Sequence, residues 1–483
     1  MNRLLPLLAL ALALAACGGG GQRKDDAPVA VSAIGGPIQA GDPNRATLAT
    51  PARVLLGATA QGLVRFDAAG QIEPGLAERW IVIDDGRSFI FRLREAQWSD
   101  GDPVTSAQVV KALRRAIAPD SRNALSPFLA VIDEIVEMTP QVIEVRLKRP
   151  RPDLLQLFAQ PELAVVREGK GSGPFRIARS DARGMLLRPA PDPEAPDEEG
   201  PAPEETILLR GERAANALSR FKDGQSDLIL GGTFADWPVV TAAGIAPANI
   251  RMDSALGLFG LAVTRRDGFL AEPGGRAAVA MAIDRKALTQ ALNPDWAPVE
   301  TLLPAQIDSA APPAQPAWTA LTLEARRASA RASVAAWRRE HGAAPVLRVA
   351  LPAGPGSTIV WAYVAEAIRA IGADTVRVGA GDDADLRLVD AVAPYDSGRW
   401  FVANACAPCS EEAAVLVEAG RDAPDLPTRA RRIAEADAAL TADGAFIPIA
   451  QPLRWSIVAL RLRAWQGNSR AWHPLNHLRN DTR

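Results

Sequence analysis

Asp85-Gly86-Arg87-Ser88-Phe89-Ile90-Phe91-Arg92-Leu93-Arg94, then Trp98-Ser99-Asp100-Gly101-Asp102-Pro103-Val104-Thr105-Ser106-Ala107-Gln108, decide how the first third of the chain is read. Phe89 to Leu93 carries aromatic and β-branched side chains that suit a pleated, half-buried surface. Aspartate, glycine and proline crowd 99–103, where the backbone must turn. Thr105-Ser106-Ala107-Gln108 is a capping box: the threonine hydroxyl accepts from the amide three residues on, and the glutamine reaches back. Val109, Val110, Leu113 and Ile117 then share a helical face, and Pro119 stops the helix. Val142-Ile143-Glu144-Val145-Arg146-Leu147 alternates with period two, as a half-buried strand does. A compact α+β unit over 54–166 is expected.

Upstream of it, Met1-Asn2-Arg3 supplies one positive charge, Leu4 to Ala13 is apolar, and Leu14-Ala15-Ala16 sets small residues before Cys17. The apolar run is too short to span about 30 Å of hydrocarbon but suits a secretory signal. Leu-Ala-Ala-Cys resembles a bacterial lipobox. Residues 1–16 are therefore read as a signal peptide and 17–27 as a tether lipidated at Cys17, flexible through Gly18 to Gly21. The 483 residues are 48% hydrophobic and 23% charged, a globular composition with too much chain for one core. A net charge of −2 provides no basic field for nucleic acid. Only Cys406 and Cys409 remain besides Cys17, so packing rather than disulfides must hold the fold.

Downstream, Ala190 to Glu205 is an acidic, proline-rich loop that cannot bury enough apolar surface to order itself. Thr206 to Leu209 reads as a strand, 212–222 as a helix, and 257–263 as an apolar strand. A helix is expected from Arg276, and Asp284 is a plausible N-cap for the next. Val346 to Leu351, a helix over Thr358 to Ile371, and strands at 376–378 and 386–389 make a β-α-β arrangement. Trp400 to Ala403 reads as strand, Ser410 to Glu418 and 427–440 as helices, and 445–449 and 455–462 as strands. A proline- and alanine-rich linker at 305–318 is expected to run over the surface. No internal repeat is visible.

Several segments, in this order, resemble the family 5 extracellular solute-binding proteins, the oligopeptide-, dipeptide- and nickel-binding subunits of ABC importers. Gly62-Leu63-Val64-Arg65-Phe66-Asp67, Pro74 to Trp80 and the opening stretch carry the resemblance first. Gly171-Ser172-Gly173-Pro174-Phe175, Phe221 to Leu228, Ala282-Ile283-Asp284-Arg285 and Phe446-Ile447-Pro448-Ile449 continue it. The resemblance implies an α/β, two-lobed periplasmic-binding-protein (type II) fold with an extra small α+β lobe. Lobe I would comprise 28–53, 167–260 and 450–483, the accessory lobe 54–166, and lobe II 261–449. The chain would cross a hinge twice, near 258–264 and 446–452. A short peptide in the cleft would touch both lobes and favour the closed form, which the importer's membrane subunits would read.

A peptide ammonium needs a carboxylate in a dry cleft. By likeness to the family's acid on the second lobe, Asp396 is the candidate, with Tyr395 and Trp400 as apolar walls. Gly35-Gly36 would let ligand backbone approach, or mark only a turn; Gln451 could offer its amide. Cys406-Ala407-Pro408-Cys409 is read as a disulfide, with redox or metal chemistry and free thiols as alternatives. His473 and His477 are four apart, a spacing for metal that Pro474 weakens, and are otherwise read as exposed C-terminal residues. Gly354-Pro355-Gly356-Ser357-Thr358 lacks the lysine of a P-loop, leaving Ser357 as a helix N-cap. No cofactor is expected, and a monomer is. The same fold could serve a metal chelate, a sugar or an opine. A hydrolase or thiol oxidoreductase is the contrasting reading, although neither Gly-x-Ser-x-Gly nor His-Glu-x-x-His occurs. A lipoprotein scaffold without ligand is a third.

Overall fold

The computed structural model describes residues 26–191 and 201–479. Cys17, the 1–16 signal segment, the tether through residue 25 and 192–200 of the acidic loop lie outside the described residues. The centre of lobe I is the strand Val29–Ile34, buried along its whole length. It runs parallel to Ile207–Glu212 on one side and Leu228–Thr233 on the other. Being covered on both faces, it reads as a continuous apolar run rather than an alternating one. Four antiparallel strands complete a seven-stranded sheet, including the hairpin Phe175–Asp181 and Gly184–Pro189 and the late strand Arg454–Val458. The helix Thr50–Thr59 packs Val54, Leu55 and Ala58 onto the core of this sheet. It therefore belongs to lobe I, and the small lobe begins after it rather than at residue 54.

The small lobe is a four-stranded antiparallel sheet in the order Ala77–Ile83, Ser88–Leu93, Val142–Leu147, Ile132–Thr139. The helix Ser106–Ala116 lies over it, and both halves of the Thr105/Gln108 capping box are present. Gln108 does more than cap. Its Oε1 also accepts from Nε1 of the buried Trp98 at 2.9 Å, so one side chain starts the helix and satisfies the indole beneath it. Phe89, Phe91, Trp98 and Phe158 fill this core, with Phe91 and Phe158 edge to face at 5.9 Å.

Lobe II holds a five-stranded sheet in the order Asp374–Gly379, Val346–Leu351, Leu386–Val392, Gly257–Val263, Phe446–Ala450. Val346–Leu351, the helix Pro355–Ala370 and Asp374–Gly379 form the expected β-α-β unit with parallel strands. The strand Gly257–Val263 lies wholly in this sheet, and Arg454–Val458 wholly in that of lobe I. The crossings thus fall at 253–256, ahead of the expected 258–264, and at 451–453, overlapping the end of the expected 446–452.

Two local readings need correction. The helix after Val346–Leu351 begins at Pro355 behind Gly354, at φ 131°, so Ser357 sits inside its first turn and is buried instead of capping it. Trp400 to Ala403 is not a strand but part of the helix Gly398–Ala405. Asp308 accepts from Gly398 N at 2.6 Å and from Ser397 Oγ at 2.9 Å, which seats the helix N-terminus on a carboxylate. The same contact, with Ala314 N donating to Asp437 at 2.7 Å, holds the 305–318 linker along lobe II; none of its residues is buried, so it runs over the surface as expected.

An interlobe cleft as the candidate ligand site

A cavity of about 440 Å³ lies where lobe I, the small lobe and lobe II meet. From the helix Thr50–Thr59 come Thr50, Arg53 and Val54, whose i, i+3, i+4 spacing puts them on one face. From Gly398–Ala405 come Trp400 and Asn404, again four apart. Phe128, Gln160 and Glu162 enter from the small-lobe side. The floor includes Gly231, where pairing between Leu228–Thr233 and Arg454–Val458 slips by a bulge. Gly231 has φ 82°, and a Cβ there would meet Thr50 Cγ2 at 2.6 Å, so glycine lets strand and helix approach.

The fourth wall is the C-terminal segment Arg470–His473, held by buried Asn468. Asn468 Oδ1 accepts from Arg470 N at 3.0 Å and Trp472 N at 3.3 Å, while Nδ2 donates to Ala68 O and Trp472 O. Between these bonds Ala471 adopts φ 47°, a conformation that an L-residue keeps only when its surroundings over-determine it.

Each carboxylate of the cleft is matched to a guanidinium. Glu162 accepts from Arg53 Nε at 2.5 Å and Nη2 at 3.3 Å. Asp390 accepts from Arg454 Nη1 at 2.7 and 3.0 Å, one residue coming from each lobe's sheet beside the second crossing. Burial pushes the Asp390 carboxyl above its ordinary range, and Arg454 pulls it back in part. Across the small-lobe boundary, Phe128 meets Tyr395 edge to face at 5.4 Å, and Gln160 Nε2 donates to Pro394 O at 2.7 Å. Buried Arg429 reaches Asp153 at 3.2 Å.

The predicted residues separate. Trp400 is in the cavity wall. Tyr395 is not: it is 1% exposed, its hydroxyl accepts from Arg399 at 3.3 Å, and burial pushes the phenol up. Asp396 also lies off the lining, exchanging bonds with Gln156 at 2.7 and 2.9 Å and paired with Arg470. Gly35 and Gly36, at φ 142° and 89°, turn the chain toward the first helix and do not line the cavity. Gln451 Oε1 accepts from Gly257 N at 2.9 Å, which ties the two crossings together. Cys406 and Cys409 are joined in a disulfide between helices Gly398–Ala405 and Glu411–Asp422. His473 is buried rather than exposed and faces Asp253 at 3.1 Å, whereas His477 faces Glu73 at 2.8 Å. Two histidines on different acids do not converge, and no metal-sized cluster occurs among the described residues. Arg53, Asp390, Arg454 and Arg470 were missed. The signal for Asp390 was present, a lone acid inside Leu-Arg-Leu-Val-Asp-Ala-Val.

The profile of bacterial extracellular solute-binding proteins, family 5 Middle, matches residues 71–384. The probable deoxycholate-binding periplasmic protein YgiS of Escherichia coli is 32% identical over 143 residues, 26% of each chain. The periplasmic oligopeptide-binding protein OppA of Haemophilus influenzae is 29% identical over 130 residues, 27% of this chain and 23% of that one. These alignments span about a quarter of the length of either relative. The fold agrees over far more. The structure of Haemophilus influenzae OppA in complex with the peptide RPPGFSPFR superposes with a TM-score of 0.78 at 18% identity, covering 94% of this chain and 99% of that one. The murein tripeptide-binding protein MppA of Escherichia coli gives 0.78 at 17% identity, over 92% and 97%. With its two-lobed α/β architecture and small third lobe, the chain belongs to the family 5 bacterial extracellular solute-binding proteins.

Proposed function

We propose that this chain is the extracytoplasmic binding subunit of an ABC importer, a lipoprotein anchored through Cys17 that captures a short peptide and hands it to the membrane subunits. The cavity built from all three lobes supports this reading most directly. A solute filling it touches both sides of the hinge and so stabilises the closed form over the open one. The peptides named with the OppA and MppA structures agree with that class of solute. Trp400 is a wall of the site. Asp396, engaged by Gln156 and Arg470, is a lobe-closing contact in this reading rather than the ammonium partner. The protein works as a monomeric carrier without a cofactor and performs no chemistry on its solute. A second reading, a non-peptide solute in the same cleft, is favoured by the match to YgiS, which is named for deoxycholate.

The test is a distance. Full-length protein labelled with a dye pair on lobes I and II is titrated with a tripeptide library. Transfer efficiency should rise saturably, and native mass spectrometry should show a carried solute. An unchanging distance together with an empty protein sinks the carrier reading. Cys17→Ala should abolish incorporation of labelled fatty acid and release the protein from the membrane; persistent labelling would refute the anchor.

A further inference from the structure

The cleft holds three guanidinium groups, those of Arg53, Arg454 and Arg470, against two carboxylates, Glu162 and Asp390. Both carboxylates are already spent on Arg53 and Arg454. The third guanidinium, Arg470, has its counter-ion, Asp396, outside the lining. Its side chain is 3% exposed, Nη1 reaches only Ala393 O at 3.3 Å, and Nε has no partner among the described residues. Arg53 Nη1 and Arg454 Nε also make no bond with a described residue. Among the charged groups of the walls the open polar capacity is therefore N–H; Gln160 and Asn404, whose amide nitrogens are bonded, leave neutral carbonyl acceptors beside it.

The helix Thr50–Thr59 adds to the same sign. It begins at the cavity, Thr50 lines it, and its N-cap Ala49 makes no side-chain cap; Ala52 N and Arg53 N donate to Ala49 O and Pro51 has no N–H, which leaves the Thr50 N–H as the first-turn donor without a bond to a described residue. An ammonium entering this site would meet cations and committed acids. A carboxylate would meet guanidinium donors, and hydrogen bonds between two charged groups are the strong ones. Around these donors Val54, Phe128, Leu230, Val392, Trp400 and Trp472 offer apolar surface.

From this we propose that the cleft anchors its solute by a carboxylate, with Arg470 as the principal anchor, and that the solute needs no free ammonium. The class is an organic acid with an apolar body: a peptide read from its C-terminus, or an amine-free carboxylic acid. This specificity rests on the carrier reading above. Asp396 then acts through Arg470, holding the guanidinium at the wall.

The experiment compares three forms of each member of a tripeptide pool by calorimetry on the full-length protein: free, N-acetylated and C-terminally amidated. N-acetylation should change Kd by less than about threefold, and amidation should weaken binding about tenfold or more, the scale of one lost hydrogen bond to a charged group. Arg470→Gln should shrink the gap between free-acid and amide forms from about tenfold or more to less than about threefold; any loss common to both forms reports the broken Asp396 contact between lobes. Acetylation that costs as much as amidation, or more, overturns the proposal whether or not the variant folds. If no peptide form binds, deoxycholate and its carboxamide are compared in the same way. Binding of the acid alone supports the carboxylate anchor while removing the peptide reading. Binding of neither acid overturns the anchor, and the dye-pair distance under the tripeptide library decides the carrier reading separately.

Discussion

Asp437, on the helix Leu426–Asp443, is 1% exposed; Oδ2 accepts from Ala314 N and Oδ1 has no partner. Burial pushes its carboxyl up to about 6, with the Ala314 bond pulling the other way. A raised folded-state value means that the protonated acid is the better-suited form. Its contribution is complete below about pH 4, its unfolded value, and is lost as pH rises through about 6. Asp437→Asn should therefore stabilise the protein by about 2–3 kcal/mol at pH 7.5 and by almost nothing at pH 4, from a two-unit shift at about 1.4 kcal/mol per unit. Thermal midpoints of the two proteins at both pH values check it; an equal gap at each would refute the assignment. Single residues were also where the sequence was least legible. Tyr395, Asp396 and Trp400 are neighbours in sequence, yet only Trp400 faces the cavity. Which of a loop's polar groups finds a partner 240 residues away, as Asp396 finds Gln156, leaves no local pattern.

Elements were legible where a local rule acts alone. Val142–Leu147 and Val346–Leu351 have the predicted ends, and Thr105 and Asp284 are the caps that their side chains suggest. The rule failed for Trp-Phe-Val-Ala at 400–403, because a buried helix and a buried strand are both continuously apolar. Asp308, ninety residues away, decides for helix by accepting from Gly398 N. The long helix Leu323–His341 was passed over: only Ala330 and Val334 are buried, so its apolar stripe is narrow among many arginines. Two substitutions test the elements that shape the site. Thr105→Ala removes the acceptor of the capping box and should cost about 1 kcal/mol without altering solute affinity, read from denaturant midpoint and calorimetry together. Gly231→Ala puts a Cβ on Thr50 at a positive φ and should cost about 1–3 kcal/mol. Because strand and helix both line the cleft, it should weaken binding as well. A destabilised Gly231→Ala protein with unchanged Kd would show that the bulge does not shape the site.

At the scale of the molecule, the ordered run of motifs carried the two-lobed fold, since each motif marks a junction between elements and junctions fix the chain path. The lobe contacts were not legible, because they join segments far apart in sequence. Gln156 illustrates their weight: its amide donates to and accepts from Asp396, joining the helix Leu154–Phe158 to lobe II. In the carrier reading both bonds form as the lobes close, at the edge of the buried cluster that joins Leu157 and Phe158 to Tyr395 and Trp400. Two such bonds are worth about 1–3 kcal/mol of closed-state preference. A solute that binds only the closed form has an apparent Kd equal to the intrinsic one divided by the closed fraction. Gln156→Ala should therefore raise Kd about five- to a hundredfold where the closed form is the minor state of the free protein, and less where it dominates. Transfer efficiency between dyes on lobes I and II fixes which case holds before solute is added. The thermal midpoint should hardly move, because Gln156 supports the interface and not a core. Gln141→Ala, in the exposed turn of the small-lobe hairpin, is the control and should match the parent protein in every measurement. A Gln156→Ala protein with unchanged Kd and unchanged resting distance would mean that ligand alone, and not this contact, holds the lobes together.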